Sequence, residues 1–103
     1  MRTDTVSLIK VTYPAGQRDA SGNQLEVESV PRVLYCEYES VTQTEFFSAS
    51  QQGMKSEYKL KVSEFDYEDE TIAVFKNKRY SIYRTYLGKD EKIELYLGIK
   101  AGV

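Results

Sequence analysis

The last third of the chain alternates with a period of two. From Lys92 to Ile99 the apolar residues Ile93, Leu95, Leu97 and Ile99 fall on one side, and Lys92, Glu94 and Tyr96 on the other. That is the pattern of a strand with one face buried and one in water. Residues 79 to 87, dense in tyrosine and β-branched types, form the strand before it. Gly88-Lys89-Asp90-Glu91 supplies the tight connection of an antiparallel hairpin. A second turn at Asn77-Lys78 makes Ile72 to Lys76 a third strand. A three-stranded meander has an apolar face that something else must cover, so the remainder of the chain has to supply a partner layer.

The upstream residues are of the same kind. Val6 to Tyr13 reads as a strand ended by Pro14-Ala15-Gly16, and Gln17 to Asn23 as a polar loop. Leu25 and Val27 alternate with Glu26 and Glu28, and Pro31 confines that strand to an edge or ends it. Val33 to Val41 follows, with Val33 and Tyr35 on one side and Leu34, Cys36 and Tyr38 on the other. Thr42 three places ahead of Glu45 predicts a capping box that opens a short helix, which Gly53 closes. Adjacent Phe46 and Phe47 cannot share one narrow helical stripe, so one is expected in the core and the other against a loop or a neighbour. Tyr58, Leu60 and Val62 alternate with Lys59, Lys61 and Ser63, and the acidic turn Phe65 to Thr71 leads into the meander. Seven short strands, one short helix and long loops predict an all-β fold: a small barrel of SH3-like or similar type, spanning residues 1–103 as a single domain.

Composition limits the chemistry. The chain has 103 residues and no histidine, which removes Ser-His-Asp, Cys-His and two-histidine metal arrangements. Paired carboxylates remain, but most acidic residues sit at alternating strand positions where a solvated face accounts for them, and no catalytic residue is expected. The single cysteine, Cys36, permits no internal disulfide, and its place in a strand fits a small core residue. The run Glu64, Asp66, Glu68, Asp69, Glu70 lacks calcium-loop spacing. No metal or cofactor is therefore expected. No apolar run approaches the roughly 20 residues of a membrane span, which points to a protein made and used in a cytoplasm.

Charge bears on nucleic acid. Fourteen basic residues against 16 acidic leave a formal charge of −2, whereas gripping a phosphate backbone favours a basic excess. Arg79, Tyr80, Tyr83, Arg84 and Tyr86 do interleave cations with aromatics, the composition of a surface on which single-stranded bases stack. Simple alternation splits that set, with Tyr80, Ile82, Arg84 and Tyr86 on one face and Arg79, Ser81, Tyr83 and Thr85 on the other. A barrel core with a polar rim explains it better. The segment Thr42 to Ser56 is long for a connection and polar, as befits a surface that moves or meets another subunit.

Arg79-Tyr80-Ser81-Ile82-Tyr83-Arg84-Thr85-Tyr86 followed by Ile93-Glu94-Leu95-Tyr96 resembles the C-terminal hairpin of the head-closure proteins of tailed bacteriophages, also called stopper or head-tail joining proteins. The resemblance runs back through Glu45-Phe46-Phe47-Ser48-Ala49, Gly53-Met54-Lys55 and Phe65 to Glu70, covering about residues 33 to 97. It implies a virion protein of the phage neck, assembled in the bacterial host cytoplasm. There it would form a homo-oligomeric ring under the portal and adaptor, close the DNA exit channel, admit DNA without sequence-specific binding, and offer the tail its attachment surface. On that expectation Phe47, Gln51, Gln52, Gly53 and Lys55 form a gating loop toward the lumen. Arg79, Tyr83, Arg84 and Tyr86, together with Glu37 and Glu39 and the loop from Pro14 to Asn23, meet partners. The acidic strand faces (Glu26, Glu28, Glu37, Glu39) and the basic ones (Lys59, Lys61, Arg79, Arg84) are expected to be the two complementary flanks of a ring subunit. Alternatives are a tail terminator or tail-completion protein, an oligonucleotide-binding barrel, and a structural module of an integrated prophage.

Overall fold

A computed structural model describes residues 2–13, 20, 22 and 26–100. Its elements are β1 (Arg2–Ile9), β2 (Val11–Thr12), β3 (Val27–Glu28), β4 (Arg32–Ser40), α1 (Gln43–Gln51), β5 (Met54–Ser63), β6 (Ile72–Phe75), β7 (Lys78–Leu87) and β8 (Lys92–Lys100). Six strands close an antiparallel barrel in the order β1-β4-β5-β8-β7-β6, and β2 and β3 pair as a separate two-stranded ribbon. The barrel thus has six strands rather than the expected seven, because Val27–Glu28, from the strand expected around Leu25 and Val27, pairs outside it. The strand expected over Val6 to Tyr13 breaks at Lys10, whose N–H and C=O both bond Ser29. That turns Val11 and Thr12 out of the barrel and into the ribbon.

The C-terminal meander is as its alternation requires, with β6, β7 and β8 paired in sequence. The turn between β6 and β7 falls on Lys76 and Asn77, one residue earlier than expected, and both have positive φ (53° and 62°), the backbone of a type I′ hairpin. Leu8, Leu60, Phe75, Leu95 and Leu97 are fully buried, with Val6, Cys36, Val62, Ala73 and Tyr80 around them in one core. Tyr38, Tyr58 and Phe75 meet edge to face, with ring centroids 5.1 to 6.1 Å apart, a geometry that adds to their area burial. Cys36 lies in this core, and burial pushes its thiol up to about 11, so it stays protonated and unreactive at neutral pH.

All six barrel strands run antiparallel, which defines two mouths. At one, α1, the β6–β7 turn and the end of β8 come together. At the other are the 64–71 and 88–91 connections and the start of β4.

Candidate functional site

Two β-bulges on neighbouring strands shape the outer face of the barrel. On β5 the register shifts between Ser56 and Tyr58, beside the Leu97–Gly98 step of β8, and on β7 between Ile82 and Arg84, beside the adjoining Tyr96–Leu97 step. A bulge adds one residue and re-aims the side chains that follow. Ser56 and Ser81 both sit opposite Gly98, and the Tyr83 ring would come within 3.2 Å of a Cβ there. The result is a pit floored by Gly98 and walled by Ser56 and Tyr83, and α1 packs against β5 beside it.

The helix forms where its cap predicts. Thr42 accepts a hydrogen bond from the Glu45 N–H (3.2 Å), and Gly53, at φ +79°, ends the turn that follows. Only half of the capping box is present, because the Glu45 carboxylate turns toward the barrel. It accepts from the Tyr83 hydroxyl (2.7 Å) and pairs with Arg84 (2.5 Å). A phenol has one proton, so Tyr83 donates to Glu45 and accepts from the Ser56 hydroxyl at 2.7 Å. Burial, with the Glu45 charge adding to it, pushes the Tyr83 phenol up to about 12. Ala49 is the one buried residue of the helix. Phe46 and Phe47 are 39% and 57% exposed and touch each other edge to face. Neither reaches the core, contrary to expectation, because the helix is held by the small Ala49 and the polar Glu45.

The bulge at Tyr83 also overturns the simple alternation of β7. Arg84 and Tyr86 lie opposite Tyr96 and Glu94, on the outward side, so Arg79, Tyr83, Arg84 and Tyr86 share one face after all while Tyr80 stays inside. Arg84 stacks over the Tyr96 ring at 4.2 Å. The cations of this face are engaged within the chain. Lys59 holds Glu39 (2.6 Å) and Lys61 approaches Glu94 (3.9 Å), Arg79 holds Glu28, and Lys92 holds Glu37. The acidic and basic rows expected on two separate flanks are therefore neighbours on one face, since β4, β5, β8 and β7 are adjacent. The cross-strand pairs Glu39–Lys59 and Lys61–Glu94 each contribute roughly 0.2–1 kcal/mol. The Lys92 hydrogen bond holds the Glu37 carboxyl below its usual range, and Lys59 does the same for Glu39.

The expected gating loop is shorter than its five residues suggested. Gln51 ends α1, Gln52 is its cap, and Lys55 lies within β5 opposite Ile99, leaving Gln52 and Gly53 as the turn. Of the loop from Pro14 to Asn23, only Ala20 and Gly22 are among the described residues. Sequence reasoning missed Arg32. Its guanidinium holds the buried Glu70 carboxylate through Nε (3.0 Å) and Nη2 (2.7 Å) and reaches the Asp66 carbonyl, organising an acidic turn that composition alone assigns to solvent. The signal available was the position of Glu70, two residues before the buried strand β6.

Among the described residues no group of three or more His, Cys, Asp or Glu side chains gathers to hold a metal, and no helix is long and apolar enough to cross a membrane. Compared with protein-family models and with curated proteins, the sequence matches none.

Tyrosines give the fold an alkaline limit. Burial pushes Tyr67, Tyr80 and Tyr83 each up to about 12, against about 10 in an unfolded chain. Above pH 10 the unfolded chain releases these protons and the folded one keeps them, so stability falls as pH rises. Urea titrations are expected to give level stability up to pH 10 and a decline between pH 10 and 12. Tyr80, only 4% exposed, alone contributes about 2–3 kcal/mol of that loss. Tyrosinate absorbance rising together with unfolding checks this; ionisation of all nine tyrosines below pH 11 in a folded chain would refute it.

Proposed function

We propose that this chain is a structural subunit of a tailed-phage neck, a head-closure protein that forms a ring beneath the portal and adaptor, closes the DNA channel and receives the tail. The observation that carries the reading is the presence of two unlike apolar flanks at opposite ends of one small barrel. Phe46 and Phe47 stand out from α1 at one mouth. Val33, Tyr35 and Phe65, 66%, 87% and 74% exposed, stand out toward the other. Along β4, Tyr35 is five residues from the end where the helix begins, about 17 Å at strand rise. A ring subunit needs two different complementary surfaces, and patches of exposed apolar side chains are where proteins meet partners. The resemblance over residues 33 to 97 supports the same role.

A charge-compensated exterior suits a channel that holds DNA and later releases it, because paired cations offer little to a phosphate backbone. In this reading the gate is the Gln52–Gly53 turn, and Phe47 belongs to the flank beside it. Tail proteins and the adaptor take the remaining faces, and the virion neck is the site of action. Electron microscopy of particles made without this gene tests it. Filled or leaking heads beside complete unattached tails are expected, and normal joined virions would overturn the role.

A second reading draws on the bulge at Tyr83, which unites Tyr83, Arg84 and Tyr86 on the outer face, with Arg84 stacked on the buried Tyr96 ring. That face would suit stacked single-stranded bases, but Arg84 would have to leave Glu45 to meet a phosphate. Salt-dependent binding of short single strands would favour this reading over the neck.

A further inference from the structure

Each apolar flank coincides with one sign of charge. The mouth beside α1 carries Arg2, Lys55, Lys76, Lys78 and Lys100 at strand ends and in the β6–β7 turn. Against them stand Asp4, Glu39 and Glu57: Asp4 pairs with Lys76 (3.6 Å), Glu57 with Lys78 (3.0 Å) and Glu39 with Lys59, which leaves Arg2, Lys55 and Lys100 as the excess. The opposite mouth carries Glu64, Asp66, Glu68, Asp69 and Glu70 in one connection, against Arg32 and Lys10. There the 88–91 connection adds Lys89 with Asp90 and Glu91, and Lys92 at the start of β8 is held by Glu37. The barrel is thus polarised along its axis, basic at the helix end and acidic at the other.

The apolar patches are themselves short of charge in a chain that is 29% charged. The only ionisable residue of α1 is Glu45, and it is turned inward to Tyr83 and Arg84. The helix therefore shows solvent its phenylalanines, glutamines and hydroxyls. At the other end the outward positions of β1 and β4 are Thr5 and Ser7 opposite Tyr35 and Val33, uncharged, with Glu37 opposite Thr3 at their edge. Depletion of charge around exposed aromatics is the composition of an interface centre, with charge kept for the rim.

We propose that copies of this chain join head to tail, with the Phe46–Phe47 flank and cationic mouth of one seated on the Val33–Tyr35–Phe65 flank and acidic connection of the next. The occupant is a second copy because one chain carries both halves, apolar against apolar and opposite charge against opposite charge. The contact is heterologous, so it generates a ring or an open chain rather than a closed pair. The inference rests on the ring reading above and names the surfaces that build the ring.

The test uses two single variants, Phe47→Glu and Tyr35→Glu, at exposed positions where the barrel is expected to fold as before. Sedimentation velocity and native mass spectrometry should show the wild-type chain associating as concentration rises and each variant alone remaining monomeric. An equimolar mixture should give a dimer and nothing longer, because each variant keeps one intact flank. Raising salt from low to molar should weaken association about tenfold. Thr5→Glu, on the same outward face opposite Tyr35, replaces Tyr35→Glu if that variant loses its circular dichroism.

The proposal is overturned by a wild-type chain that stays monomeric at millimolar concentration, by either variant assembling like wild type, or by a mixture that stays monomeric. A flank that instead takes a different protein would appear as the first of these. Such a failure with defective necks on gene loss removes the contact alone. Normal virions with the predicted dimer remove the neck role alone.

Discussion

Replacing Arg32 with methionine is expected to lower unfolding free energy by about 2–3 kcal/mol, because it strands a buried carboxylate, though less than in a fully buried pair since the Arg32 side chain is itself 38% exposed. Glu70 is 2% exposed and gives Oε2 to the Arg32 guanidinium and Oε1 to the Glu68 N–H at 2.7 Å. Without Arg32 the buried carboxylate keeps one backbone donor and loses its guanidinium partner, so the turn must open to let water reach it. The Asp66 carbonyl loses its guanidinium donor in the same step. Urea denaturation of Arg32→Met against wild type measures the loss. Arg32→Met with Glu70→Leu should recover most of it, because no charge is then left stranded. A single-variant loss below about 1 kcal/mol would put the pair with ordinary surface bridges and remove it from the fold's supports. Because the same turn carries the acidic side of the proposed contact between copies, Arg32→Met should also weaken association.

Local order was legible wherever one residue or one period decides it. The alternation of Ile93, Leu95, Leu97 and Ile99 places β8, Tyr58, Leu60 and Val62 place β5, and Thr42 and Gly53 bracket α1, all as the structure has them. The all-β barrel followed from counting such segments, and the count of barrel strands erred at Val27 and Glu28, which pair with Val11 and Thr12 outside the barrel. What periodicity could not reveal is where it is interrupted. One extra residue at Tyr83 reverses the parity of the rest of β7, and nothing about a tyrosine among tyrosines marks it as the bulge. Charge pairing was hidden for a different reason. Whether Glu39 meets Lys59 or a neighbouring subunit depends on β4 lying beside β5, and Arg32 finds Glu70 across 38 residues of sequence, a separation that no local pattern spans. Phe46 and Phe47 were misread because helical amphipathicity was assumed, while this helix docks by one alanine and one carboxylate.

Gly98→Val should destabilise the barrel by about 3 kcal/mol, near the top of the range for overpacking a filled site, although valine is among the best strand formers and glycine among the worst. Propensity alone therefore predicts a gain, and the two arguments separate cleanly. A Cβ at this position would lie 2.9 Å from the Lys55 carbonyl oxygen and 3.2 and 3.3 Å from two carbons of the Tyr83 ring. The tyrosine could swing aside, but only by giving up Glu45 and Ser56, which frees the helix from the barrel. The carbonyl belongs to the backbone of β5 just ahead of its bulge and has no such freedom. Truncating Tyr83 alongside, as Gly98→Val with Tyr83→Ala, should for that reason fail to restore stability, whereas a clash with the ring alone would be relieved. Thermal melts of the two variants decide this. Amide hydrogen exchange should show α1 and the start of β5 losing protection before the β6–β8 meander, because the Tyr83 ring that lies over Gly98 is bonded by Glu45 of the helix. A stabilised Gly98→Val would mean that the bulges on β5 and β7 relax without effort, and the helix would then owe its place to the Thr42 cap and the Arg84 pair instead.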